Sequence, residues 1–329
     1  MKDGVDAATV EIRNAFLAQM GPQIRHLVQM SPRRRLLDFA TWLPLWAAAG
    51  AVASWGLMDW DSQGPTWLPA LAVASGILGC AIAINALNLL MHEGMHGILF
   101  KGSRANRWGS VLLGATVLMG FSAYRILHLR HHRYLGTPLD PDDYHNYTRR
   151  RGLVWLLHFA RLTIGCIVYI FAIPALALRY GTWRERRAVL ADYAVLACLY
   201  AAAFLLIPIS ILAGSWLVPL LVVAILVQVR GFTQHGIADA HDPLLASRCI
   251  QPNRLVAALV LHENHHLEHH LFPEIPSYNL ERLHQLLWPH LPRAVTVPSY
   301  GSFIAHFIRQ SVALDDTPIG YTEPGKETA

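Results

Sequence analysis

The sequence is short of charge. Asp, Glu, Lys and Arg supply 15% of its 329 residues, against 53% hydrophobic side chains. An ordinary soluble domain would have to bury several helices completely to tolerate that ratio, so the composition excludes one and points to a bilayer. Cysteine is scarce as well. Cys80, Cys166, Cys198 and Cys249 form no Cys-x-x-Cys pair and three lie in apolar runs, which excludes a disulfide framework and implies no thiolate metal site. A Gly-x-Gly-x-x-Gly fingerprint is missing, as are a flavin-type segment and an attached haem domain, so no bound nicotinamide, flavin or haem is expected. The net charge is +5, but the arginines flank apolar segments, the cytoplasmic-side pattern of an inner-membrane protein; nucleic acid is not an expected partner. No cleavable signal precedes the first apolar run, so the N-terminus is expected in the cytoplasm.

What is present is a series of apolar runs. The expected fold is an all-α integral membrane protein with a cytoplasmic N-terminal segment over 1–39, one membrane domain over 40–313 and a flexible polar tail over 314–329. Residues 1–39 have the mixed character of an amphipathic interfacial helix. Four transmembrane helices are expected near 40–58, 67–91, 189–209 and 211–229. The first pair is joined by the acidic, turn-forming Asp59 to Pro65. Two further apolar stretches, 108–124 and 153–178, have arginines on both sides and read as interfacial or re-entrant helices, because a crossing would export one basic flank. This arrangement keeps 92–101, 125–152 and everything after Arg230 on the cytoplasmic side as a histidine-rich cap.

Eighteen histidines occur, and they cluster. His92 and His96 lie one helical turn apart, as do His128 with His132 and His266 with His270; His131 and His269 add neighbours, and His235 closes an apolar run. The densest stretch is HENHHLEHHLFP, from His262 to Pro273. Neutral imidazoles bind borderline transition metals. Eight or nine of them exceed the needs of one tetrahedral zinc, so two metal ions are expected. The carboxylates Glu93, Asp140, Asp142, Glu263 and Glu268 are assigned chiefly to hydrogen-bonding ligand imidazoles. His92-Glu93-Gly94-Met95-His96 also matches the zinc protease pattern, with Glu93 as general base, but a single zinc leaves the other histidines unexplained. Two metals at the mouth of a membrane bundle suit attack on a hydrocarbon. If they are iron they activate O2 against unactivated C–H bonds, with electrons from an external carrier drawn to the basic cytoplasmic face.

The boxes MHEGMHG (91–97), HLRHH (128–132) and HLEHHLFP (266–273) resemble those of the membrane fatty acid desaturase superfamily over roughly residues 85–290. That resemblance implies a cytoplasmic non-haem diiron centre with O2 as cosubstrate. The ligands it implies are His92, His96, His128, His131, His132, His235, His266, His269 and His270. It also implies a ferredoxin- or cytochrome b5-like electron donor with its reductase, a lipid substrate and a site on the cytoplasmic side of a bacterial inner membrane. Two departures stand out. His262 and His265 occupy positions where relatives put Asn and an aromatic residue, leaving a competing register His262-x-x-His265-His266; the form of HLEHHLFP favours His266, His269 and His270. Gln234 stands beside His235 where an acidic residue is familiar. The same boxes serve acyl desaturases, hydroxylases and carotenoid ketolases. Acyl-chain desaturation is the leading expectation, oxygen insertion into a lipid, carotenoid or smaller substrate the alternative, and a non-enzymatic metal-binding membrane protein the rival of a different class.

Overall fold

The computed structural model describes residues 7–322 except 65, 240, 241, 292 and 293. Along the chain run α1 (Ala7–Leu27), α2 (Pro32–Gln63), α3 (Trp67–Met95), α4 (Ser103–Ala115), α5 (Phe121–Tyr134), α6 (Arg151–Tyr180) and α7 (Trp183–Leu206). Then come α8 (Ile209–Leu212), a π turn (Ala213–Leu217), α9 (Val218–His235), β1 (Arg248–Ile250), α10 (Arg254–Leu259), α11 (His266–Leu271), α12 (Leu280–Leu287), β2 (Ala294–Val297), α13 (Tyr300–Ala313) and β3 (Tyr321–Thr322). Five helical segments are long and apolar enough to cross a membrane: Pro32–Ser62, Trp67–Met95, Arg151–Tyr180, Trp183–Leu206 and Ile209–His235. The chain is an integral membrane protein.

Two compact units are formed, one from 31–126 and 168–227, the other from 1–30, 127–167 and 228–329. In the first, α2 packs along α3 through small residues. A Cβ on Gly76 would stand 2.6 Å from the Ala53 backbone nitrogen, so glycine sets how closely the two helices approach. Trp46 donates its indole N–H to the Ser215 carbonyl (2.7 Å) and Trp216 to the Thr116 carbonyl (2.8 Å), fastening the π turn on two sides. Ser31 caps the start of α2, which therefore begins well before residue 40 and continues helical through Asp59, where a linker was expected. The stretch 108–124 is divided between α4 and α5, separated by a turn at 116–120. At about 1.5 Å per residue, neither helix is long enough to span about 30 Å of hydrocarbon.

The second unit departs from an all-α fold. It holds a small sheet of order β1-β2-β3, with β1 and β2 parallel and β2 and β3 antiparallel, in register Arg248↔Val295 and Val295↔Tyr321. The polar C-terminal stretch is accordingly tied down as far as Thr322, with Ile319 buried and its N–H donated to the Ile237 carbonyl; 323–329 lie outside the described residues. The N-terminal segment differs from expectation too. The stripe Phe16, Met20, Ile24 and Leu27 of α1 is buried in one core with Leu267, Leu271, Leu280 and Leu283, so its apolar face is used within the protein. Arg13 pairs with Glu274 and lies over Phe272, holding α1 to the segment after α11. Across 153–178 runs α6, one continuous helix of 30 residues, so of the two forms expected there the re-entrant one is absent.

Candidate metal centre

Three elements of the second unit deliver imidazoles to one place. The later turns of α5 carry His128, His131 and His132, α9 ends on His235, and α11 projects His266, His269 and His270. Nε2 of His235 lies 2.8 Å from Nε2 of His266, 3.2 Å from that of His270 and 3.3 Å from that of His131. Nε2 of His269 is 3.2 Å from that of His132, whose ring centroid is 4.5 Å from that of His128. One shared proton can satisfy one such nitrogen pair. It cannot satisfy four nitrogens converging together, whereas a metal cation can.

The outer nitrogens fix the tautomers. His131 Nδ1 donates to the buried Asp140 carboxylate (3.0 Å) and His235 Nδ1 to the Ala246 carbonyl (3.2 Å), which leaves the lone pair of each ring on the inward Nε2. Burial works to lower the His131 pKa, but Asp140 outweighs it and the net shift is upward. For His270 burial, followed by His266, His235 and His131, holds the pKa well below the ordinary value, so this ring is neutral as a metal ligand must be. Asp142 contributes its backbone N–H to Asp140 (2.9 Å). Glu263 is buried with Oε2 3.8 Å from His266 Nδ1.

Glu268 is where geometry and expectation part. Although it sits inside the box, its carboxylate accepts from His284 (2.5 Å) and from the Cys249 thiol (2.9 Å), because it projects from the opposite side of α11 to the ligand histidines. His265 packs against His284, with ring centroids 4.5 Å apart. His262 is 3.6 Å from Glu281 and adopts a left-handed backbone, φ 61°.

In the other unit, α3 ends on His92 and His96, their rings edge to face with centroids 5.4 Å apart. Between them Glu93 pairs with Arg35 at 2.5 Å through Oε2, with a longer 3.4 Å contact through Oε1, both residues being buried. Both carboxylate oxygens thus face a guanidinium, where the protease pattern needs one turned to a water, which weakens that pattern further. Asn106 clamps the turn after His96, donating to the Gly94 carbonyl (2.8 Å) and accepting from Leu99 N–H (3.0 Å). Arg125 donates to the Met95 carbonyl (2.9 Å). Asp192, fully buried, accepts from Arg107 (2.7 Å) and from the Ser122 N–H in the first turn of α5 (2.7 Å), a negative charge at the positive end of that helix.

Several positioning residues were missed in the sequence. Arg248, fully buried, donates to the carbonyls of Thr233 (2.7 Å), Gly236 (2.6 Å) and Ile237 (2.7 Å) and so caps the end of α9 just where His235 sits. Burial pulls its pKa down to about 9, still above neutrality. Its only sequence signal is an arginine beside Cys249. His284 shows at most as the polar member of the Leu280, Leu283, Leu287 stripe.

The family model described as fatty acid desaturase matches residues 65–301. The sphingolipid delta(4)-desaturase/C4-monooxygenase DES2 of Homo sapiens is 25% identical over 304 residues, covering 88% of this chain and 85% of the relative. The same protein of Mus musculus is 26% identical over 305 residues, with 88% and 85% covered. That of Bos taurus is 25% identical over 261 residues, with 75% and 76% covered.

Proposed function

Because the chain belongs to the fatty acid desaturase family and is thereby a membrane oxidoreductase acting on lipids, we propose that it desaturates a saturated lipid chain at a pair of iron ions. The balance is one saturated C–C unit, O2, two electrons and two protons giving an alkene and two waters. The observation that carries this reading is the convergence of the Nε2 atoms of His131, His235, His266 and His270, with the outer nitrogens of His131 and His235 committed to Asp140 and to the Ala246 carbonyl. Iron held there supplies the oxidant for C–H cleavage. We assign His92, His96, His128, His131, His132, His235, His266, His269 and His270 as its ligands, the two from α3 by the likeness of MHEGMHG to the family box.

The chain's own residues do the positioning. Asp140 and the Ala246 carbonyl keep two inward nitrogens unprotonated, Arg248 and Asp192 hold the ends of α9 and α5, and Asn106 fixes the turn after His96. Four crossings, α2, α3, α7 and α8–α9, keep His132 and His235 on one side, which we take as the cytoplasmic face of a bacterial inner membrane. An even number of crossings between them requires that α6 not cross. Two electrons per turnover come from a ferredoxin- or cytochrome b5-like carrier with its reductase, drawn to the arginine-rich face.

The relatives' name pairs desaturation with C4 monooxygenation of sphingolipids, which favours a sphingolipid-type chain as substrate and hydroxylation as a second outcome of the same C–H cleavage. The test supplies iron-loaded protein in lipid nanodiscs with O2, a reducing system and either a saturated sphingolipid or a saturated acyl lipid. Products two mass units lighter support desaturation; products about 16 heavier indicate hydroxylation and about 14 heavier a ketone. Peptide cleavage by the zinc-loaded protein, with no O2-dependent product, would overturn the reading.

A further inference from the structure

The opposite side of α11 carries a second cluster that the diiron reading does not use. Cys249 from β1, His265 just before α11, Glu268 within it and His284 from α12 each offer one ligand atom, and these four atoms all lie within 4.8 Å of one another. Cys249 and Glu268 are fully buried, and His265 and His284 are only partly exposed. Nδ1 of His265 is buried with no hydrogen-bond partner among the described residues. A buried polar atom left without a partner costs free energy, so the site as it stands is missing something.

We propose that Cys249, His265, Glu268 and His284 bind one zinc ion. Sulfur, two imidazoles and a carboxylate are a complete four-coordinate donor set for zinc, with no position left for substrate, which marks the site as structural. Ligand atoms around such an ion stand about 3.3–3.8 Å apart, from bonds of about 2.0–2.3 Å in a tetrahedron. The Cys249–Glu268 contact of 2.9 Å and the Glu268–His284 contact of 2.5 Å therefore widen when the ion enters, and the thiol proton leaves to solvent. The ion ties β1, α11 and α12 together. It thus braces from behind the six-residue helix that presents His266, His269 and His270.

A thiolate ligand makes the test independent of the histidine boxes, which contain no cysteine. The full-length protein, purified in nanodiscs from zinc- and iron-supplemented cells, is measured by zinc K-edge X-ray absorption. The expected result is one zinc per chain with a sulfur neighbour at about 2.3 Å. That sulfur signal persists in the triple variant Cys80→Ser, Cys166→Ser, Cys198→Ser and is lost in Cys249→Ser. Cobalt substitution of the wild-type protein, needing no variant, gives a thiolate-to-metal charge-transfer band. Zinc with no sulfur neighbour, a sulfur signal that survives Cys249→Ser, or cobalt without the band would overturn the proposal and leave a metal-free Cys249–Glu268–His284 hydrogen-bond network. None of these outcomes depends on lipid turnover, so the proposed function can stand or fall separately.

Discussion

The two sides of α11 differ in ways that separate one kind of metal chemistry from another. On one side His266, His269 and His270 join other imidazoles in a cluster of nitrogen donors, in which the outer nitrogens of His131 and His235 are held by a carboxylate and a carbonyl. On the other, Glu268 meets a thiol and an imidazole. All-nitrogen donors leave room for O2 and change of oxidation state; a mixed sulfur, nitrogen and oxygen set closes on an ion that does neither. A helix of six residues presents both because successive side chains are turned by about 100°, so position 268 points away from 266, 269 and 270.

The contrast can be broken most severely on the imidazole side. His235→Ala and His269→Ala are expected to lose iron and to cut turnover by well over ~100-fold, beyond the ~10–100-fold typical of losing an outer partner. Iron content and product yield check this, and the zinc–sulfur signal should survive in both. Arg248→Ala strands three carbonyls at the end of α9 and is expected to destabilise by about 1–3 kcal/mol for each one left unpaired, read as loss of folded, detergent-stable protein. Retention of normal stability would mean that other groups satisfy those carbonyls. Asp140→Asn keeps the fold but weakens iron binding by ~10–100-fold, measured by competition with a chelator, and leaves the Cys249 side untouched.

A smaller effect separates the two sides by pH. Burial first, opposed by the nearby Glu268 and reinforced by His284 and His262, lowers the His265 pKa from 6.5 to about 4. The unfolded chain therefore takes up this proton first. The stability gained by keeping the ring neutral is fully present above about pH 6.5 and is lost as pH falls towards 4. In chelator-stripped protein the melting temperature should drop by several degrees across that window, and His265→Phe should flatten this part of the profile; an unchanged slope in His265→Phe would refute the assignment. Smallest of all, His262→Ala should change turnover less than about twofold, since an exposed pair such as that with Glu281 is worth little. A loss matching that of His269→Ala would reinstate the competing register.

Much of this was legible in the sequence because the boxes are local. Spacings of three and four residues put histidines on one helical face wherever the helix lies, so His128, His132, His266 and His270 could be named beforehand. Helix α3, with its long apolar run, was legible for the same reason. What escaped needs partners distant in sequence. The groups around Cys249 come from positions 265, 268 and 284, which no local spacing announces. Glu268 was misassigned because spacing says which residues are close but not which side of a short helix faces which cluster. The sheet was invisible for want of length: β1 and β2 have three and four residues and pair across more than 40 positions. Basic flanks around 153–178 argued for an interfacial or re-entrant segment, and the unbroken helix between them removes only the re-entrant form.

Gly94, between His92 and His96, has a consequence for anyone diversifying this protein. A β-carbon there would stand 1.9 Å from the Ser110 hydroxyl, so the middle of the first box is shaped by its neighbour's volume as well as by its metal chemistry. Positions 94 and 110 share one allotment of space. A library that randomises the box alone will discard alanine at 94 as inactive, whereas one that also offers glycine at 110 should recover it.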